Sequence, residues 1–260
     1  MKNKLERMVV LTANRPRHQY YAQTLYDSFN SVAGVFIEDK KVQEKVRDSL
    51  DETSPIVKNH LDDFKEKEKE FFGIKLDIPS SKLHYTVNIN QVAREIKEIE
   101  PDIITVFGTT LIKEPLISAC SKIVNLHLGL SPYYRGNGTN LFCFYNKELE
   151  YIGATVHFLD KKIDGGMIIS QVRPDIDTGK DTINTINCKA IKRGIEEVVR
   201  VVEILQDRAK VLSHKQNLSI GRVYKSEDFT EEVCKTAYEN VEKGLIGNYK
   251  PKEVRIYTLK

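Results

Sequence analysis

Short unbroken apolar runs alternate along this chain with stretches whose apolar residues recur every three or four positions. MVVLTA (8–13) is apolar nearly throughout. A run of that length suits a strand covered on both faces, as in a parallel sheet. Residues 16–32 carry a helical period, with Pro16 tolerated in the first turn. AGVFIE (33–38) reads as a second strand. Residues 39–72 are dense in Lys, Glu and Asp, with a sparse stripe at Val42, Val46, Leu50, Leu61 and Phe64. The mixed charges predict a solvated helix with i,i+4 pairs. Asn88 is a good N-cap for an amphipathic helix over 88–99, built on Val92, Ile96 and Ile99. PDIITVFG (101–108) predicts a buried strand, IKEPLISAC (112–120) a short helix and KIVNLHLG (122–129) a strand that ends in polar groups. A Pro- and Gly-containing loop follows at 130–140. YIGATVHFLD (151–160) alternates like a half-buried strand, and GMIISQVRP (166–174) is its expected partner, with an antiparallel pairing allowed. A long amphipathic helix is predicted over 181–206.

This alternation predicts an α/β fold, Rossmann-like, with a mostly parallel mixed sheet and helices on both faces. After residue 210 the pattern weakens, leaving GRVYKSEDF (221–229) and a helix over 230–243 as a short C-terminal extension. The expected division is a catalytic domain over 1–208 and the extension over 209–260.

Composition narrows the function classes. Forty basic and 37 acidic side chains in 260 residues leave a net charge of +3, which excludes a dedicated electrostatic clamp for nucleic acid. Cys120, Cys143, Cys188 and Cys234 form no CxxC pair, so no metal centre is signalled and a reducing, cytoplasmic setting is expected. The N-terminal apolar run is too short for a signal peptide, and no stretch approaches the ~18 apolar residues of a membrane span.

In an open α/β sheet, ligands bind beyond the carboxyl ends of the strands. There the strand 122–129 presents Asn125 and His127, two apart and therefore on one side. The strand 151–160 presents Thr155 and His157 in the same way, and Asp164 follows ahead of two glycines. Asn, His and Asp together suit acyl transfer. Histidine moves a proton near neutral pH, a carboxylate orients it, and an amide can donate to a developing oxyanion. No G-x-S-x-G elbow signals a nucleophile, so the acyl group would pass directly between substrates.

The ordered segments IVNLHLGLSPYYRGNGTN and IGATVHFLDKKIDGGMIISQ resemble the folate-dependent formyltransferase family. The match rests on Asn125-x-His127, Leu130-Ser131-Pro132 with Arg135-Gly136, Thr155 to Phe158, and Asp164-Gly165-Gly166. The resemblance implies a substrate amine attacking the formyl carbon of 10-formyltetrahydrofolate. Asn125 and a protonated His127 would stabilise the oxyanion, and Asp164 would hold His127 charged and help take the amine proton, with Thr155 and His157 in support. It also implies a cofactor pocket lined by Phe107, Gly108, Leu111 and Ile112 on one side and by Asp160 and Ile163 on the other.

Three features bear on the amine. The segment TANRPRHQYY (12–21) lacks the glycine-rich phosphate loop of glycinamide ribonucleotide enzymes, although Arg15 and Arg17 could grip a phosphate by side chain. Only about 50 residues follow the catalytic region, fewer than the C-terminal barrel of methionyl-tRNA formyltransferases would need, which weighs against tRNA. The loop SPYYRGNGTN is most similar to the sugar N-formyltransferases, with Tyr133, Tyr134 and Arg135 as candidate contacts to a nucleotide-linked amino sugar. Formylation of another small amine, formyl-folate hydrolysis and a non-catalytic folate-binding protein are the alternatives. Related sugar enzymes are often dimers, and the extension after 210 would be a suitable homodimer interface.

Overall fold

A computed structural model describes residues 5–39, 54–207 and 211–259. Seven strands form one twisted sheet in the order β3-β2-β1-β4-β5-β7-β8. They are β1 (Met8–Ala13), β2 (Val32–Glu38), β3 (Leu83–Thr86), β4 (Ile103–Val106), β5 (Ile123–Leu128), β7 (Ala154–Phe158) and β8 (Ile168–Val172). The first five run parallel, and β7 is antiparallel to both β5 and β8. Sequence pattern and structure therefore agree on a mixed Rossmann-like sheet.

Strand alternation decides which helices cover which face. Met8 and Val10 point to a core shared with Tyr21 and Leu25 of α1 (Pro16–Ser28) and with Ile191, Ile195 and Val198 of α5 (Ile183–Asp207). Val9 and Leu11 point the other way, to Ile96 of α3 (Ala93–Ile99), Ile112 and Leu116. The continuous apolar character of β1 follows from this double burial. Among the described residues, no helix is long and apolar enough to cross a membrane, and all four cysteines are buried thiols.

Several expected boundaries move. The first helix ends at Ser28 instead of reaching residue 32, because Phe29 turns into extended backbone and buries its ring. The charged helix occupies α2 (Pro55–Phe72), capped by the Ser54 hydroxyl, while Val42, Val46 and Leu50 lie outside the described residues. Leu61 is buried and Phe64 packs on the main core, so α2 is partly a core helix. The helix expected over 112–120 reduces to a turn and a 3-10 segment at Ile117–Ala119, since Pro115 withdraws a donor in the middle of nine residues. Strand β3 carries no clear alternation and was not foreseen.

The C-terminal segment is integrated with the rest. Strand β9 (Arg222–Tyr224) pairs in parallel with β6 (Tyr134–Gly136), which lies inside the segment expected to be a loop. Helix α6 (Glu231–Glu242) packs against α4 (Thr139–Tyr145), burying Val233 and Ala237 beside Leu141 and Phe142.

Candidate active site

Residues at the carboxyl end of β5 form one hydrogen-bonded cluster. The antiparallel register sets Asn125 opposite His157 and His127 opposite Thr155. The Asn125 Nδ2 donates to His157 Nε2 at 3.0 Å and to Asp164 Oδ1 at 3.4 Å. Asp164 Oδ2 lies 3.2 Å from His127 Nδ1 and accepts from the Gly136 backbone N–H at 2.9 Å. His157 Nδ1 meets the Phe158 carbonyl at 2.8 Å, which fixes its proton there and leaves Nε2 as the acceptor for Asn125.

His127 faces acceptors on both ring nitrogens, because its Nε2 lies 2.9 Å from the Tyr134 carbonyl. Burial pushes this imidazole below its usual range. The Asp164 carboxylate and the Tyr134 carbonyl pull it upward without overcoming that cost. The charged His127 implied by the family resemblance is thus disfavoured by its burial. For Asp164, burial favours the neutral acid, but the neighbouring His127 and His157 imidazoles and the Gly136 N–H outweigh it and hold the carboxyl well below the ordinary carboxylate range. Asp164 adopts a left-handed backbone, φ +43°, an uncommon conformation for a side-chain-bearing residue.

Thr155 and Gln171 fasten the loop above this cluster. Thr155 Oγ1 donates to the Gly129 carbonyl at 2.6 Å and accepts from Ser131 N at 3.0 Å. Gln171 Nε2 donates to the Ser131 carbonyl at 2.6 Å.

The other candidate residues divide. Leu111 and Ile163 expose 59% and 44% of their surfaces and can offer apolar contact. Phe107 and Ile112 cannot do so with their side chains, since both are buried. The Phe107 ring packs edge-on against His18 at 5.0 Å, and Ile112 belongs to the core beneath the sheet. Gly108 has φ +75°, and a Cβ there would strike the His18 ring, so only glycine lets the chain pass. Asp160 is exposed, with its carboxylate turned back to Lys161 N.

Arg15 caps the start of α1. Arg17 is paired with the buried Glu68 of α2, which takes the charge that a phosphate would have met. The Tyr134 ring has no free face: it lies against Tyr224, and its hydroxyl is bound to Glu148, Asn146 and Arg222. Tyr134 serves the cluster through its carbonyl instead. Tyr133 is partly buried against Tyr151, with ring centroids 4.6 Å apart. Arg135 is buried, with Nη2 on the Leu218 carbonyl and no carboxylate paired to it among the described residues.

Sequence reasoning missed Glu38, a buried carboxylate that accepts from Thr110 N at 2.6 Å, Thr110 Oγ1 at 2.7 Å and Ile89 N at 3.2 Å, anchoring the 107–112 segment. It also missed Gln171 and Gln216. A lone buried Glu or Gln carries no spacing signal.

The sequence profile of the formyl transferase family matches residues 7–202, most of the chain. The chain belongs to that family. Its C-terminal segment lies beyond the matched stretch. Within the family, it is 30% identical over 125 residues to a methionyl-tRNA formyltransferase of Desulforamulus reducens, covering 47% of this chain and 38% of that protein. The corresponding enzyme of Bacteroides thetaiotaomicron is 32% identical over 113 residues, 43% of this chain and 34% of the relative. The matches thus span roughly a third of the length of these curated relatives. A 4-N formyltransferase from Francisella tularensis superposes with a TM-score of 0.60 at 20% identity, covering 86% of this chain and 78% of that one. An N-formyltransferase from Helicobacter canadensis, solved in complex with folinic acid and dTDP-3-aminofucose, gives 0.56 at 15% identity, with 89% and 79% covered. At these identities the likeness is one of fold.

Proposed function

We propose that this formyl transferase family member moves a formyl group from 10-formyltetrahydrofolate to the amine of a nucleotide-linked amino sugar. The observation that carries the reading is the single hydrogen-bonded cluster of Asn125, His127, His157 and Asp164 at the carboxyl end of β5. The residues present suit a folate. Val106 pairs with Asn125 in register, so the 107–112 segment leaves the sheet directly beside the cluster, and it carries the exposed Leu111. The segment 160–164 ends at Asp164 and carries the exposed Ile163. Bound there, the donor would supply an activated formyl carbon to the incoming amine.

The protein's own groups account for the rest. The Asn125 amide re-aims one N–H from Asp164, its longer contact at 3.4 Å, toward the oxygen that gains charge. The Asp164 carboxylate accepts the proton leaving the amine and passes it across the 3.2 Å contact to His127 Nδ1, so the imidazolium strengthens that stabilisation and holds the proton that the departing donor nitrogen needs. None of these side chains is a serine or cysteine, which supports direct transfer. Arg135, buried without a carboxylate partner among the described residues, is the cation best suited to an anionic substrate. The fold likeness to an enzyme solved with a nucleotide amino sugar supports the substrate class.

A second reading, methionyl-tRNA as acceptor, is favoured by the names of the curated relatives. The deciding assay incubates the protein with the folate donor and, separately, dTDP- or UDP-linked amino sugars or methionyl-tRNA, and identifies products by mass spectrometry. Formylated nucleotide sugar is the expected product. Formylation of methionyl-tRNA alone would overturn the substrate assignment. Donor breakdown with no formylated amine would replace transfer by hydrolysis.

A further inference from the structure

We propose that Gln216 is a positioning residue that sets the backbone of Asp164, so that the C-terminal segment completes the active site. The inference rests on Asp164 acting as the proton acceptor. Gln216 is 7% exposed, and its Nε2 donates to the Asp164 carbonyl at 2.8 Å and to the Gly166 carbonyl at 2.6 Å. Both partners are acceptors, so the amide nitrogen must face them, and its two hydrogens span the turn from either side of Gly165. Two residues earlier, His214 exchanges backbone hydrogen bonds with Ile168 at 2.8 and 2.7 Å, which fixes where the Gln216 side chain starts. Two residues later, the Leu218 carbonyl holds Arg135.

The tether meets the chain where conformational freedom matters most. Asp164 is in the left-handed region, while its carboxylate must reach His127, Asn125 and the Gly136 N–H at once. A rotation of this peptide would swing the carboxylate off His127. Gln216 lies outside the stretch matched by the family profile, so this arm is supplied by the chain's own C-terminal segment.

The test uses the full chain. Gln216→Met removes both donors while keeping length and volume. Misplacement by about 1 Å can cost ~10²-fold in rate, so kcat is expected to fall by about tenfold to a hundredfold. KM for donor and amine should stay within about twofold, since no contact to either is removed. By NMR, the His127 imidazole should titrate at lower pH than in the wild type, because its carboxylate partner has drifted. Gln216→Asn, which keeps the amide but is one methylene short, should behave in the same way and serves if the Met variant does not fold. A purely structural role would lower Tm while leaving kcat and the His127 titration at wild-type values, and that result would overturn the proposal. Inactivity of the wild type toward every amine would sink the functional reading instead, and the NMR comparison would still decide the role of Gln216.

Discussion

The Asn125 amide and the His127 ring hold the two oxygens of one carboxylate, Asp164 Oδ1 at 3.4 Å and Oδ2 at 3.2 Å. In the proposed reaction the Asn125 amide turns one N–H from this carboxylate to the oxyanion. Losing one oxyanion donor typically costs ~10²–10³ in rate, about 3–4 kcal/mol. Asn125→Ala and Asp164→Ala should each lose at least that much turnover in steady-state assays, with circular dichroism unchanged. Acid acts on both titrating groups in one direction. Asp164 is held below its unfolded value, so its contribution is whole above about pH 4 and is lost as pH falls through the folded pKa. Burial places His127 below its unfolded value near 6.5, so the unfolded chain takes up the proton first and stability declines as pH drops below that point. Tm should therefore fall as pH drops below about 6.5 in differential scanning calorimetry. His127→Gln should flatten part of that slope.

At the scale of elements, the two-stranded pairing of β6 with β9 is what presents the Gly136 N–H to Asp164. Gly136 has φ +92°, and a Cβ on it would fall on the Tyr224 carbonyl oxygen. Gly136→Ala should open this pairing at a cost of about 1–3 kcal/mol of backbone strain, seen as a lower denaturant midpoint. Activity should fall with it, because a hydrogen bond to the carboxylate is lost. This element also marks the limit of what the sequence discloses. The period-2 spacing of Asn125 with His127, and of Thr155 with His157, placed both pairs on one face because alternation is a local property. The buried runs of β1, β4 and β5 were legible for the same reason. Strand β6 was read as a loop because it lies inside a segment rich in turn formers, and its three residues become a strand only when Arg222–Tyr224 arrive from far along the chain. Glu38 and Gln216 are equally non-local: they act on segments 72 and about 50 residues away, and nothing in their neighbours' periodicity announces it. The ring of Tyr134 and the side chain of Arg17 were read as ligand contacts from type and position alone. Each is instead consumed by a partner, Glu148 or Glu68, that composition could not pair with it.

Across the whole molecule, the C-terminal segment carries core residues as well as active-site supports. Val233, Cys234, Ala237 and Ile246 are buried against α2, α4 and α5. Fully burying one Val or Ile side chain is worth about 1.5–3 kcal/mol, comparable to a sizeable share of a domain's net stability. A chain ending at Asp207 is therefore expected to be insoluble or to lack a cooperative thermal transition, and inactive if any remains folded. The same segment runs along the outer side of β8, where the Ile168 N–H bonds to the His214 carbonyl and the Gln171 N–H to the Tyr257 carbonyl. Those bonds occupy backbone groups that an edge strand would otherwise offer to a neighbouring chain. Strand addition is thereby discouraged at β8; the opposite margin of the sheet is β3, four residues long with Tyr85 exposed. The extension thus doubles as a guard, taking up backbone groups on the outer side of β8 that would otherwise stay open.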